Sequence, residues 1–120
     1  LAQIGGDAKF TAREAQRAPK LSELVRLDDA RFRAMFSKTA VKRAGRDRFV
    51  RNVLIAIGNS GDASLAGEAE RLLDDPSPLV RGAAVWALSR LLPRKSIAAL
   101  QQKHHDSDST VQEEWAAALA

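Results

Sequence analysis

Shifted along itself by 31 residues, the chain brings three of its segments into register. Ala56-Ile57-Gly58 meets Ala87-Leu88-Ser89 and Ala118-Leu119-Ala120, while Phe49 meets Val80 and Val111, and Val53 meets Ala84 and Trp115. Asp75 and Asp106 recur at the approach to the second and third copies. A period of about 20–50 residues marks a solenoid or array, in which each unit hides its apolar face by stacking on a neighbour. A pair of helices per unit is the natural content of this period.

Each copy carries helical spacing. Val50, Val53, Leu54 and Ile57 stand at i, i+3, i+4 and i+7, one buried stripe. Ile55 falls off that stripe, so a second side of this helix is expected to be covered by the next repeat. Trp86 and Trp115 could stack on nucleobases, but Trp86 lies one period after Ile55 and Trp115 one period after Val53, so both are expected in the core instead. The chain is rich in Ala, Leu, Arg and Asp, with four Phe, two Trp and no Tyr, which favours helix over sheet.

Local punctuation agrees with this division. Ser77 suits an N-cap with Pro78 at the first helical position, and Asp108 caps one period later. Pro93 ends a helix at Leu92. Gly61 closes "GNSG" as a helix stop before a partner helix near residues 64–74, and a shorter partner follows near 95–104. Upstream, Thr11 and Glu14 form a capping box that Pro19 cuts short. A helix starting at Asp28 or Asp29 reads as the outer helix of the first repeat, and residues 1–10 have no pattern. The expected organisation is a loose N-terminal segment with a short helix over residues 1–27, then an all-α solenoid of about three helical pairs over residues 28–120.

Several chemistries are excluded or weak. With no cysteine, disulfides, iron–sulfur clusters and thiolate zinc sites have no ligands. "GNSG" lacks the Gly-Lys-Ser/Thr of a phosphate-binding loop. His104 and His105 point about 100° apart on a helix and are the only histidines, so a metal site is not expected. Asp28/Asp29 and Asp74/Asp75 precede helices, where carboxylates cap and meet the positive dipole end. No nucleophile–base pair remains, so the chain alone is not expected to be an enzyme. No apolar run approaches the roughly 20 residues that span a bilayer, and no signal peptide is recognisable, so a cytoplasmic location without membrane contact is expected. The chain starts at Leu1, which suggests a piece of something longer.

The charge is uneven. Residues 1–61 hold 13 Lys/Arg against 6 Asp/Glu, and residues 62–120 hold 6 against 9. The densest stretch is "KTAVKRAGRDRFVR", Lys38 to Arg51, with six cations and Asp47 as its one acid. Lys42, Arg43 and Arg46 fall in the approach to the first repeat helix, with Arg43 and Arg46 expected in solvent. Arg48, Arg51 and Asn52 stand on the helix's non-core side. A loop and one helical face of arginines suit a phosphate backbone. Ordinary solvation, or pairing with Asp47 and other carboxylates, is the alternative.

"FSKTAVKRAGRDRFVRNVLIAIGNSGD" followed by "LLDDPSPLVRGAAVWALSRLL" resembles the C-terminal HEAT-like region of bacterial epoxyqueuosine reductases. The likeness runs from about Phe10 to Leu92, and Arg51–Gly61 is its most specific block. The resemblance implies a family that reduces the epoxide of epoxyqueuosine at the wobble position of tRNA, the last step of queuosine synthesis. It also implies a cobalamin and two 4Fe–4S clusters in the parent protein; this chain has no cluster-binding cysteine run and is far too short to form a cobalamin domain. A detached, non-catalytic C-terminal domain is therefore expected, lying beside the catalytic half and helping to hold the tRNA anticodon arm. By match to the family's basic segment, Lys42, Arg43, Arg46, Arg48, Arg51 and Asn52 become candidate tRNA contacts. Arg81 joins them through the Val-Arg-Gly block, with a structural role as its alternative. The sequence departs from the family pattern at Ala83, where a histidine is common, and at Ser89, where a glycine is common. A protein-binding HEAT scaffold is the rival reading.

Overall fold

The computed structural model describes residues 21–26, 28, 31 and 40–120, with side chains from Gly45 onward in the last stretch. All its elements are helical. Helix α1 spans Ala40–Ser60 and is interrupted at Gly45, whose φ of 80° and ψ of 159° only glycine adopts readily. The regular part of α1 therefore starts at Arg46. Its end follows from Gly61, at φ 70°, which reverses the chain as a left-handed C-terminal cap. Asp62 then accepts Ser64 N–H (3.0 Å) and starts a short 3-10 turn, Ala63–Leu65, leading into α2, Ala66–Arg71.

Helix α3 spans Pro78–Leu91. Ser77 Oγ accepts Val80 N–H and Pro78 takes the first turn, as their spacing predicts. Helix α4, Arg94–Lys103, begins directly after Pro93. Helix α5, Ser109–Leu119, is capped by Asp108 Oδ1, which accepts the N–H groups of Thr110 (2.9 Å) and Val111 (3.1 Å). That cap bonding, together with the Thr110 hydroxyl, holds the Asp108 carboxyl below its usual range.

Helices α1, α3 and α5 pack side by side as an inner layer, with α2 behind α3 and α4 behind α5. The buried stripe is the expected one: Val50, Leu54 and Ile57 are inaccessible, as are Ala84, Val85 and Leu88, one period after Val53, Leu54 and Ile57. Val80, one period after Phe49, is also inaccessible, and Val111 and Trp115 continue the stripe. Residues 21–25 are also helical. Leu21 and Val25 join the same core, so the core reaches N-terminal to position 28. Arg26 ties this segment to α2, donating from Nε to Glu68 Oε1 (2.9 Å) and holding that carboxyl below its usual range. Asp28 Oδ1 accepts Arg31 N–H (2.8 Å), the N-cap bond expected for a helix starting there. The Thr11–Glu14 box, Pro19 and the rest of the helix after Asp28 lie outside the described residues.

Two expectations about the core need correction. Ile55 is not covered by the next repeat; it is 39% exposed. Trp86, at the equivalent position, packs against the core but is only half-buried, whereas Trp115 is 3% exposed and belongs to the core. The reason is geometric. A helix in a single inner layer has neighbours at its two sides and an outer helix behind, and its fourth side stays open. Ile55 and Trp86 occupy that side.

Trp86 nonetheless makes one close contact with α1. A Cβ on Gly58 would lie 2.5 Å from Trp86 Cζ3 and 3.1 Å from Ala87 Cα. Alanine exceeds glycine in helix propensity by about 1 kcal/mol, but overpacking costs about 1–3 kcal/mol. Gly58→Ala is thus expected to lower the denaturation midpoint, and adding Trp86→Leu should restore most of the loss. A stabilised Gly58→Ala chain would contradict this close approach.

Candidate nucleic-acid interface

The basic run divides at Arg46. Its guanidinium forks onto Asp75, with Nη1 to Oδ2 at 3.0 Å and Nη2 to Oδ1 at 2.7 Å, and Nη1 also reaches Asp47 Oδ1 at 3.1 Å. The Arg46 side chain is 14% exposed and that of Asp75 is 5% exposed. Asp75 Oδ2 in turn accepts Ser77 N–H (3.0 Å), fixing the turn that starts α3. The hydrogen bond to Asp75 raises the Arg46 pKa further above its ordinary value. Arg46 is therefore a joint between α1 and the next repeat, not a solvent-facing cation. The sequence could not show this, because its partner stands 29 residues away.

One period after Asp75 the arrangement recurs with a different arginine. Asp106 Oδ1 accepts Asp108 N–H (3.0 Å), and Arg81 forks onto the same carboxylate through Nε (2.7 Å) and Nη2 (3.1 Å). Arg81 Nη1 also donates to the carbonyls of Asp75 (2.9 Å) and Pro76 (3.1 Å). The hydrogen bond from Arg81 holds the Asp106 carboxyl below its usual range. Gln112, one period after Arg81, repeats part of this contact, donating to Asp106 O at 2.7 Å. The structural alternative for Arg81 accounts for all of its bonds. Both part-buried forks satisfy the loops that launch inner helices.

The remaining candidates sort differently. The side chains of Lys42 and Arg43 lie outside the described residues. Arg48 and Asn52 are exposed, and Arg51 is half-buried. Arg48 forms no ion pair among the described residues. Arg51 places Nε and Nη2 on Asn52 Oδ1, both at 3.2 Å. Arg48, Arg51, Asn52 and Ile55 stand at i, i+3, i+4 and i+7, a second stripe displaced by two positions from the buried one. It faces the open side of the layer.

Carried forward by one period, this stripe becomes Leu79, Gly82, Ala83 and Trp86 on α3, and by two periods Thr110, Glu113, Glu114 and Ala117 on α5. The open face thus changes character from helix to helix: cationic on α1, apolar on α3, acidic on α5. Gly82 and Ala83 leave little side chain on the middle helix. The result is a trough of about 350 Å³ walled by Arg51 and Ile55 on one side and by Thr110 and Glu114 on the other. Leu79, 41% exposed, and Trp86 line it, and the Arg90 guanidinium carbon lies 5.8 Å from the Trp86 ring centroid. Leu79 and Glu114 were not among the candidates read from the sequence, where Trp86 is considered for base stacking and assigned to the core. The signal that finds them is the 31-residue period applied to the stripe through Arg48 and Arg51 rather than to the buried one.

Residues 37–120 match the sequence model of the family described as HEAT repeats. The chain belongs to the HEAT-repeat family. Its α1, α3 and α5 are equivalent helices of consecutive HEAT units, related by the 31-residue period. The HEAT chain is 35% identical over 98 residues to an epoxyqueuosine reductase of Alicycliphilus denitrificans, covering 75% of this chain and 27% of that protein. It is 28% identical over 94 residues to the epoxyqueuosine reductase of Salmonella typhimurium, covering 78% and 24%, and 30% identical over 74 residues to that of Bacillus subtilis, covering 61% and 19%. The chain spans about a quarter of the length of the first two of these relatives and about a fifth of the third. No solved structure matches it.

The residues present do not fit the iron–sulfur clusters that the resemblance implies for a whole reductase. The chain has no cysteine to ligate an iron–sulfur cluster. Among the described residues, no group of three or more His, Cys, Asp or Glu is placed to hold a metal ion. No described helix is long and apolar enough to cross a membrane.

Proposed function

We propose that this HEAT array is the tRNA-docking module of an epoxyqueuosine reductase, and that it contributes binding rather than chemistry. The observation that carries the reading is the cationic stripe of α1, which holds Arg48 and Arg51 on the open face while the part-buried forks use Arg46 and Arg81. Phosphates of the anticodon arm meet Arg48, Arg51 and Asn52, with Lys42 and Arg43 extending the track toward the start of α1. The acidic stripe of α5 repels phosphate and confines the contact to the α1 side. The catalytic half, with its cobalamin and iron–sulfur clusters, belongs to the remainder of a cytoplasmic reductase that presents the wobble nucleotide to its own active site.

A protein-binding scaffold is the second reading, and the exposed Leu79–Trp86 stripe favours it. Titration with a tRNA bearing the queuosine-type anticodon separates the two. Wild type should bind at low salt, and Arg48→Glu with Arg51→Glu should abolish binding without loss of helicity, since neither side chain is buried. Equal binding by both proteins, or none by wild type, would overturn the docking reading.

A further inference from the structure

We propose that the trough on α3 takes one unpaired nucleotide, its base stacked on Trp86 and its phosphate on Arg51. The inference rests on the tRNA-docking reading above and adds the part of the RNA that this face recognises. Three features of the trough fit that occupant together. The floor and end wall are apolar and aromatic (Leu79, Ala83, Trp86), which suits the face of a base. One wall carries Arg51, a cation beside the aromatic surface where a phosphate would attach. The other wall carries Glu114, which excludes a second phosphate and can accept N–H groups of a base.

The charge order across the face sets the direction of the strand. Its backbone follows Arg48 and Arg51 on α1, and the base crosses to α3, away from the carboxylates of α5. A paired base cannot make this crossing, because in A-form RNA the bases are stacked inside the helix and side chains do not reach them through the deep groove. The trough therefore selects nucleotides from a loop or bulge. Its volume of about 350 Å³ lies near the lower end of small-ligand sites. Trp86 is also only partly spent on packing. Its contact with Gly58 fixes one region of the ring, while the half-buried side chain still borders the trough.

The test follows tryptophan emission while the 120-residue chain is titrated with an RNA hairpin carrying an unpaired loop, and separately with a fully paired duplex of the same stem. The hairpin should quench Trp86 and the duplex should not, with the buried Trp115 as an unresponsive background. Trp86→Leu should weaken hairpin binding roughly 5–100-fold, the range for loss of one base–aromatic stack, and leave duplex binding unchanged. Trp86→Phe should retain most of the hairpin affinity. Hairpin binding without quenching, or with an affinity indifferent to Trp86→Leu, overturns the nucleotide slot, leaves the docking reading standing and assigns the trough to a polypeptide. Equal quenching by hairpin and duplex also overturns the slot. Failure of wild type to bind either RNA at low salt sinks the docking reading and the slot with it.

Discussion

Replacing Arg46 with Ala is expected to destabilise the chain by about 3 kcal/mol, whereas Arg48→Ala, two residues away, should change stability by less than about 0.5 kcal/mol. Removing one partner of a buried ion pair costs about 3–5 kcal/mol because the other charge stays behind without compensation. The lower end applies here, since 14% of the Arg46 side chain remains exposed and Asp75 keeps its bond from Ser77 N–H. For a domain of this size the loss corresponds to a fall in Tm of roughly 10–25 °C. Adding Asp75→Asn to Arg46→Ala should cost much less than the sum of the two single changes, because the stranded charge is then gone. Thermal melts of the four proteins decide the point. Equal Tm values for Arg46→Ala and Arg48→Ala would return Arg46 to the surface and to the candidate RNA contacts.

The repeat register makes an equally large prediction in the core. Ile57 and Leu88 are equivalent residues of successive inner helices, and neither has any accessible surface. Truncating a packed aliphatic side chain loses its transfer free energy and leaves a cavity that the surroundings only partly fill. Ile57→Ala and Leu88→Ala should each cost about 2–5 kcal/mol in denaturant unfolding. An unchanged midpoint for either would break the equivalence on which the stacking of the units rests. The solenoid reading predicts that neither change is silent, because each side chain is shared between its own unit and the next.

What the sequence disclosed follows the range of the interactions involved. Ser77 with Pro78, Asp108 and Gly61 act within a few residues of themselves, so the ends of α1, α3 and α5 were legible from composition and spacing alone. The buried stripe was legible because periodicity repeats the same solution three times. The division of the basic run was not. Arg46 and Arg48 look alike in sequence, and what separates them is the break at Gly45 together with a carboxylate 29 residues downstream. The open face was misread for a related reason. Ile55 and Trp86 sit at equivalent positions one period apart, which the pattern translates as core, yet periodicity records only that two positions share an environment. Whether that environment is a packed seam or an open surface depends on how many neighbours the layer gives each helix.

The salt dependence of tRNA binding tests the phosphate contact at α1. If Arg48 and Arg51 meet phosphates together with Lys42 and Arg43, four counterions are released. The logarithm of the association constant should then fall against the logarithm of salt concentration with a slope of about −3 to −4. Arg48→Glu with Arg51→Glu should eliminate measurable binding at the same salt concentrations. Single replacements by Ala should each reduce the magnitude of the slope by about 1. A slope near zero in wild type, or a slope unchanged by replacing Arg48 or Arg51, would contradict a phosphate contact at the α1 face.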